Sequence, residues 1–296
     1  MLGVYISVPF CAQKCTFCNF RSGVFPAGLM GEYLAALEAE LAAADWTTLP
    51  DTLYVGGGTP SLLDPAALER ILQLLPTRAW QEATIEASPG TVTAGRAEHW
   101  RSLGLDRVSL GVQSFVEREI RAAGRKHDAA LVEAEVALLR RAGLANISID
   151  LIAGLPYQTS ESWRQSLEWI ERLGPLHVSV YMFESDENSR LGRELEQGGA
   201  RYGAQAVPEE GQVADFYVEA AERLDRAGWR RYEISNFARP GFESLHNLKY
   251  WRQQTYRGFG ADAHSFDGAR RWGNVKTAAE YVERFRSGLS PVDEIE

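Results

Sequence analysis

Three cysteines, the whole complement of the 296-residue chain, lie in the stretch CAQKCTFC as Cys11, Cys15 and Cys18. In a reducing compartment a thiol cluster indicates metal binding more often than disulfide formation. Structural zinc takes four ligands, and the nearest histidine, His99, is far along the chain, so zinc needs a ligand brought in by the fold. A [4Fe–4S] cluster on three thiolates leaves one iron open to a small molecule. The spacing therefore favours an iron–sulfur cluster, with zinc and inert buried thiols as alternatives.

Further polar residues stand where short apolar segments end. The turn GGGTP at residues 56–60 follows TLYV, and glycine lets backbone N–H groups approach a carboxylate or amino group closely. Glu86 lies at the end of ATIEA and Gln113 follows RVSLGV, whereas Arg125, in AAGRKHD, fits a surface helix equally well. Asp150 lies within NISIDLI. A charge inside a strand buried on both sides is costly unless it is paired, so Asp150 is the strongest functional carboxylate on the residues alone.

These residues need a scaffold, and the chain predicts one in which short strands alternate with longer amphipathic helices. The strands have the character of nearly continuous apolar runs, which indicates a parallel sheet covered by helices. The carboxyl ends of such strands form one edge, where the polar residues above are expected to meet. The predicted strands are 4–8, 52–55, 83–87, 107–112, 146–152 and 177–183, and the predicted helices are about 29–44, 65–75, 93–103, 128–142 and 160–172.

The alternation loosens after residue 184. The polar segment 185–210 is typical of either a lid or a solvated loop. A helix near 211–227, a strand at 230–235, an aromatic-rich segment at 236–266 and a helix near 276–287 follow. We therefore expect an α/β barrel, open or closed, with residues 1–184 as its core. Residues 185–296 are expected to complete the barrel and add a C-terminal appendage, within one continuous domain.

The composition argues against several partners. The net charge is −9, the pI is about 5.2, and the Lys and Arg residues are scattered, which disfavours nucleic acid or an anionic membrane as a main partner. The first residues, MLGVYISVPF, have no basic leader, and their apolar run is too short to span a bilayer. We expect a cytoplasmic protein without an integral membrane segment.

The cysteine spacing after a first strand resembles that of the radical S-adenosylmethionine (SAM) superfamily. Seven motifs from about residue 3 to 285 match, in order, its coproporphyrinogen III oxidase-like branch: YISVPFC, YVGGGTPS, EASPGT, RVSLGVQSF, GRKHD, IDLIAGLPYQT and HNLKYW. The resemblance implies a partial TIM barrel of about six β/α units, whose cluster binds SAM at its open iron. In this family the reduced cluster can cleave SAM to a 5′-deoxyadenosyl radical. The resemblance further implies a SAM site lined by Tyr5, Phe17, Gly57, Gly58, Thr59, Glu86, Gln113, Arg125 and Asp150.

Phe20 distinguishes two groups within that branch. The oxygen-independent coproporphyrinogen III oxidases continue the motif to a fourth cysteine and carry an arm before the first strand. The HemW-type group, which binds heme, has phenylalanine at that position, as this chain does, and this chain has only a few residues before its first strand. We therefore expect a HemW-like heme chaperone that delivers heme to an acceptor protein, without coproporphyrinogen III oxidation. An oxidase and a radical SAM methyltransferase of the same branch are the alternatives.

The segment HNLKYW at residues 246–251 matches the HNxxYW motif that the HemW-like group associates with heme. Imidazole is a common axial ligand and flat aromatic rings pack well against a porphyrin, so His246 is the predicted heme ligand. A hydrogen-bonded core histidine is the alternative. His264, in GADAHSF, is a second candidate. The family also carries a further small domain after the barrel, at the point where this chain ends.

Overall fold

A computed structural model of the chain describes residues 1–295 and arranges their strands in one sheet. The strands of residues 1–295 are β1 Leu2–Val8, β2 Pro50–Gly57, β3 Glu82–Ala87, β4 Arg107–Gln113, β5 Asn146–Ala153, β6 His177–Met182, β7 Arg230–Arg231, β8 Asn236–Ala238, β9 Tyr256–Phe259, β10 His264–Phe266, β11 Arg271–Asn274 and β12 Val292–Ile295. Their order is β12-β11-β10-β9-β1-β2-β3-β4-β5-β6-β8-β7. Strands β1 to β6 and β9 run parallel, whereas the strands toward both edges pair antiparallel.

Helices connect the parallel strands. Within residues 1–295 the α-helices are α1 Ala27–Ala42, α2 Pro65–Gln73, α3 Ala94–Ser102, α4 Glu117–Ala122, α5 Ala129–Arg141, α6 Ser160–Leu173, α7 Arg190–Glu196, α8 Glu210–Arg226, α9 Leu245–Trp251 and α10 Ala278–Arg286. The sheet does not close on itself, because β7 and β12 lie at opposite edges. The fold is therefore an open, partial α/β barrel, as the sequence predicts. Within residues 1–295, no helix combines the length and the apolar character that a membrane span requires.

The six predicted parallel strands and all seven predicted helices are present, with bounds within two residues of those expected. The strand predicted at 230–235 is wrong in extent, since β7 ends at Arg231 and β8 begins at Asn236. Helices α4, α7 and α9 and strands β9 to β12 were not predicted. These elements are short, and their few residues carry little periodicity of their own.

The strands are not apolar on both faces, and that part of the sequence interpretation is wrong. In β4, Val108 and Leu110 belong to the hydrophobic core beneath the helices. The alternate residues Arg107 and Ser109 are buried too, but they bond to polar groups of neighbouring strands. Successive strand residues point to opposite faces, so the outer face of the barrel wall is apolar and the inner face is polar.

Helix α9 closes the amino-terminal end of this polar interior, and Glu82 of β3 holds it there. The Glu82 carboxylate accepts hydrogen bonds from Ser244 Oγ at 3.0 Å and from the N–H groups of Leu245 and His246 at 3.1 and 3.0 Å. Arg107 Nε lies 3.9 Å from Glu82 Oε2, and both side chains are nearly completely buried. A carboxylate at a helix amino terminus also interacts favourably with the helix dipole. Glu82 thus anchors α9, hereafter the plug helix, to the barrel wall.

Replacing Glu82 by Ala should lower the free energy of unfolding by about 3–5 kcal/mol, because Arg107 would be left buried without its counter-charge. Urea unfolding followed by circular dichroism measures the change, and Glu82→Gln is a milder variant if Glu82→Ala does not fold. The matched control is Glu38→Ala, whose partner Arg70 is largely exposed. That surface pair should contribute less than about 1 kcal/mol. Equal losses in the two variants would contradict the role of Glu82.

Candidate functional site

The loop that carries the cysteines is fixed at several points after β1. The N–H of Cys11 donates to the carbonyl of Gly23 at 2.8 Å, which folds the loop back on itself. The N–H of Thr16 donates to the carbonyl of Ala123 at 3.1 Å, and the N–H of Leu191 donates to the carbonyl of Thr16 at 2.8 Å. The polar segment after residue 184 therefore contributes α7 as a support for the cysteine loop.

The three thiols lie close enough to influence one another. Burial raises the pKa of Cys11 and of Cys18, and the neighbouring thiols of the trio raise it further, while hydrogen bonds from Thr59 and Ser22 lower that of Cys11. Each of the three is half-buried, and none is in a disulfide. The surroundings therefore favour the neutral thiols, and a bound metal would supply the positive charge that offsets their ionisation.

The donor set fits an iron–sulfur cluster better than it fits zinc. Within residues 1–295, no three His, Cys, Asp or Glu side chains converge on one point as a single metal ion requires. A [4Fe–4S] cluster does not need such convergence, because each thiolate binds a different iron. Arg125 Nε donates to Cys15 Sγ at 3.2 Å, so a cation already stands beside one of the three thiols.

The glycine turn after β2 packs directly against the start of the cysteine loop. Gly57 has a φ of +109°, a conformation that favours glycine. A Cβ on Gly58 would lie 2.8 Å from the carbonyl oxygen of Phe10, so no side chain fits there. The N–H of Gly58 donates to Val8 O at 2.8 Å and that of Thr59 to Phe10 O at 2.9 Å. The two segments therefore form one unit.

Glu86 faces this turn from the end of β3. The Tyr54 hydroxyl donates to Glu86 Oε1 at 3.0 Å, and the N–H of Gly57 donates to Glu86 Oε2 at 3.0 Å. Burial raises the pKa of the Glu86 carboxyl to about 7, and the nearby charge of Asp150 also raises it. Glu86 therefore changes its charge near neutral pH.

Asp150 is paired, as the sequence requires, but with hydroxyls. Ser109 Oγ donates to its two oxygens at 3.2 and 3.0 Å, Ser148 Oγ donates to Oδ1 at 3.1 Å, and Ser179 adds a further hydrogen bond. Burial raises the pKa of Asp150 despite these bonds. The serines were not predicted as partners, although one serine on each of three successive strands, β4, β5 and β6, is visible in the sequence.

Gln113 and Arg125 lie together at the carboxyl end of β4. Gln113 has a φ of +73°, and such strained backbone is typical of functional sites. Arg125 Nη1 donates to the carbonyl of Gly111 at 2.5 Å, while its Nε reaches Cys15. Arg125 is therefore not a surface charge, because it joins the strand end to the cysteine loop.

The two aromatic residues of the predicted site, Tyr5 and Phe17, have different neighbours. Tyr5 stacks on Tyr54 with ring centroids 6.0 Å apart, on the polar inner face. Phe17 packs in a small separate cluster with Ile152 and Leu155. A cavity of about 410 Å³ brings together the predicted residues Tyr5, Gly57 and Glu86 with Phe20, Tyr250 and His264, which had not been grouped with them.

His246 lies in the interior, 1% exposed, and its position argues against the predicted role as a heme ligand. Its Nδ1 is 3.0 Å from Thr52 Oγ1, and its Nε2 is 2.9 Å from the Tyr250 hydroxyl. Burial, followed by the charge of Lys249, lowers its pKa to about 3, so the ring is neutral near pH 7. A neutral imidazole has one donor and one acceptor, and both are engaged. No ring nitrogen of His246 is left for an iron.

The family model described as the Radical SAM superfamily matches residues 5–170, which contain every predicted cluster and SAM residue. The heme chaperone HemW of Synechocystis sp. is 36% identical over 97% of this chain and 71% of that protein. The heme chaperone HemW of Bacillus subtilis is 33% identical over 96% of this chain and 76% of that protein. The structure is similar to that of coproporphyrinogen III oxidase (HemN) from Escherichia coli, a radical SAM enzyme, with a TM-score of 0.87 and 25% identity over 100% of this chain and 71% of that one.

Replacing His246 by Ala should lower the free energy of unfolding by about 2–4 kcal/mol, because a cavity forms and the hydroxyls of Thr52 and Tyr250 lose their partner. Chemical denaturation measures the loss. The control is His99→Ala, since His99 is only half-buried and makes one bond, from Nε2 to the carbonyl of Pro65 at 3.1 Å. A His246→Ala variant as stable as the parent chain would refute the structural role of this histidine.

Proposed function

The chain belongs to the radical SAM superfamily and, within it, to the HemW family, and from this premise we propose that it is a heme-trafficking protein. The observation that carries the proposal is Phe20. It stands where the oxygen-independent coproporphyrinogen III oxidases have a fourth cysteine. Its side chain is 66% exposed and lines the cavity together with Gly57 and Glu86. An exposed aromatic ring at this place suits the apolar face of a porphyrin. The bound heme would be passed to an acceptor protein.

Membership of the superfamily implies a [4Fe–4S] cluster and SAM, and we assign the cluster to Cys11, Cys15 and Cys18. When bound, a cluster on three cysteines would offer SAM an iron without a protein ligand and would supply the electron that reduces SAM. Arg125 would orient Cys15 and offset the charge of its thiolate, given the 3.2 Å contact. Thr59 would hold the Cys11 sulfur by its hydrogen bond.

We propose that SAM lies between the glycine turn and the carboxylates of β3 and β5. SAM carries a sulfonium and an ammonium group, and among residues 1–295 neither Glu86 nor Asp150 forms an ion pair with a cation. A cationic ligand would therefore supply the missing counter-charge. Gly57 and Gly58 leave room for its amino-acid end. The proposed SAM residues are Tyr5, Phe17, Gly57, Gly58, Thr59, Glu86, Gln113, Arg125 and Asp150.

The two parts of the chain would serve this function differently. We propose that residues 1–184 hold the cluster and SAM, and that residues 185–296 complete the barrel, close its amino-terminal end through α9 and contribute the outer wall of the cavity. The free thiols suit a reducing compartment, so we propose a cytoplasmic location.

Oxidation of coproporphyrinogen III is the second candidate, because the structural likeness to an oxidase covers the whole chain. With SAM and a reductant, the cluster-loaded protein should give no protoporphyrinogen beyond background, since Phe20 stands where the oxidases have their fourth cysteine. Heme added to the same protein should produce a saturable, protein-dependent Soret band. Chromatography of the porphyrins and an absorbance titration measure the two results. Repeated turnover of coproporphyrinogen III would contradict the chaperone function and support the oxidase function.

The affinity for SAM should rise with pH. Only ionised Glu86 attracts the SAM ammonium, and a pKa of about 7 makes its ionised fraction rise roughly eightfold from pH 6 to pH 7.5. Isothermal titration of cluster-loaded protein measures the affinity, and Glu86→Gln should abolish the pH dependence. Asp150→Asn should move the midpoint to lower pH, because the Asp150 charge raises the pKa of Glu86. A flat pH profile in the parent chain would exclude Glu86 as the partner of the ammonium.

A further inference from the structure

His264 differs from the other four histidines of the chain in having a ring that is free to bind a ligand. His99, His127, His177 and His246 each place at least one ring nitrogen 2.8–3.1 Å from an oxygen acceptor or donor. His264 is exposed, and among residues 1–295 neither of its nitrogens has a hydrogen-bond partner. Neutral imidazole with an unengaged nitrogen is the form that binds a metal.

The place of His264 in the sheet keeps its ring accessible. It opens β10 and pairs with Gly273 of β11. A Cβ on Gly273 would lie 3.1 Å from His264 Cε1 and 3.2 Å from Nδ1, so the ring rests where a side chain at 273 would otherwise stand. The same ring lines the cavity of about 410 Å³ that also contains Tyr5 and Glu86.

Two exposed members of the cavity are aromatic. Phe20 is 66% exposed and Tyr250 is 39% exposed. Tyr250 is supported from behind by Tyr256, whose ring centroid is 4.6 Å from its own in an edge-to-face contact. Large exposed aromatic residues around a concavity mark a surface that a flat apolar ligand covers.

The charges of the cavity restrict how such a ligand is oriented. Arg21 and Lys276 line the cavity as cations, and Glu86 and Asp262 line it as carboxylates. Heme carries two propionate groups, which the two cations attract and the carboxylates repel. Arg21 directly follows Phe20 in the chain, so the propionates of a heme that packs on Phe20 are expected at Arg21.

We propose that heme docks at the exposed rim of this cavity, outside the SAM residues Gly57 and Glu86, with His264 as its axial ligand, Phe20 and Tyr250 against the macrocycle, and Arg21 at the propionates. The inference rests on the proposed heme-trafficking function and names the site. It also explains how Tyr250 of the HNxxYW segment takes part in heme binding while His246 of the same segment is occupied inside the barrel.

The test titrates ferric heme into the cluster-loaded chain of 296 residues, in which the three thiols are occupied and cannot ligate heme. Difference absorbance and resonance Raman spectra report the axial ligand. His264→Ala should lose the parent's Soret shift and at least tenfold in affinity, and added imidazole should restore the shift. His99→Ala is the matched control and should bind heme like the parent, with circular dichroism and the iron–sulfur spectrum verifying that each variant is folded.

A second comparison tests the contact between Arg21 and the propionates independently of the axial ligand His264. Arg21→Gln should weaken binding of heme several-fold and leave binding of heme dimethyl ester, which lacks the carboxylates, unchanged. If the parent binds heme and His264→Ala gives the same spectrum and affinity, this site is refuted while the proposed function stands. If the parent gives no protein-dependent Soret band at all, the proposed function fails and this site fails with it.

Discussion

Buried charge is the constraint on which the rest of this structure depends. The barrel wall turns an apolar face to its helices and a polar face inward, so charged inner side chains are removed from water and need partners. At the amino-terminal end that need is met. Glu82 binds Arg107 and the first N–H groups of α9. These contacts hold α9 against the amino-terminal end of the barrel and close it. The plug helix and the polar wall stabilise each other.

At the opposite end the same need is met only in part. Glu86 and Asp150 accept hydrogen bonds from hydroxyls and one N–H, and burial raises the pKa of both carboxyl groups. Strained backbone at Gln113 lies at the same end. Buried charges therefore form ion pairs at the closed end, Glu82 with Arg107 and Asp51 with Lys249. In the part of the chain that the structure describes, Glu86 and Asp150 form no such pair where the glycine turn and the cysteine loop meet, and a cationic ligand would be stabilised there.

The histidines divide in the same way into buried structural residues and an exposed residue that can bind a ligand. His246 is enclosed with both nitrogens engaged, and His177 is likewise buried between Ser148 and Tyr232. These imidazoles act as neutral connectors in the polar interior, where burial lowers their pKa. His264 stands on a short antiparallel strand outside that interior, beside the cavity. Residue type alone therefore does not identify a metal ligand, because engagement of its nitrogens decides whether it can bind.

The sequence alone determined the open α/β barrel, the bounds of its main strands and helices, and the cysteine trio, because periodic patterns and clustered thiols are local signals. It also indicated that Asp150 needed partners. It did not reveal the polar inner face, the serines that hold Asp150, the bond from Arg125 to Cys15, or the enclosure of His246. Residues far apart in the chain make each of these contacts, such as Thr52 with His246 and Glu82 with Ser244. Only the tertiary structure decided them, because whether a polar group is engaged or free depends on which distant strand or helix lies within hydrogen-bonding distance.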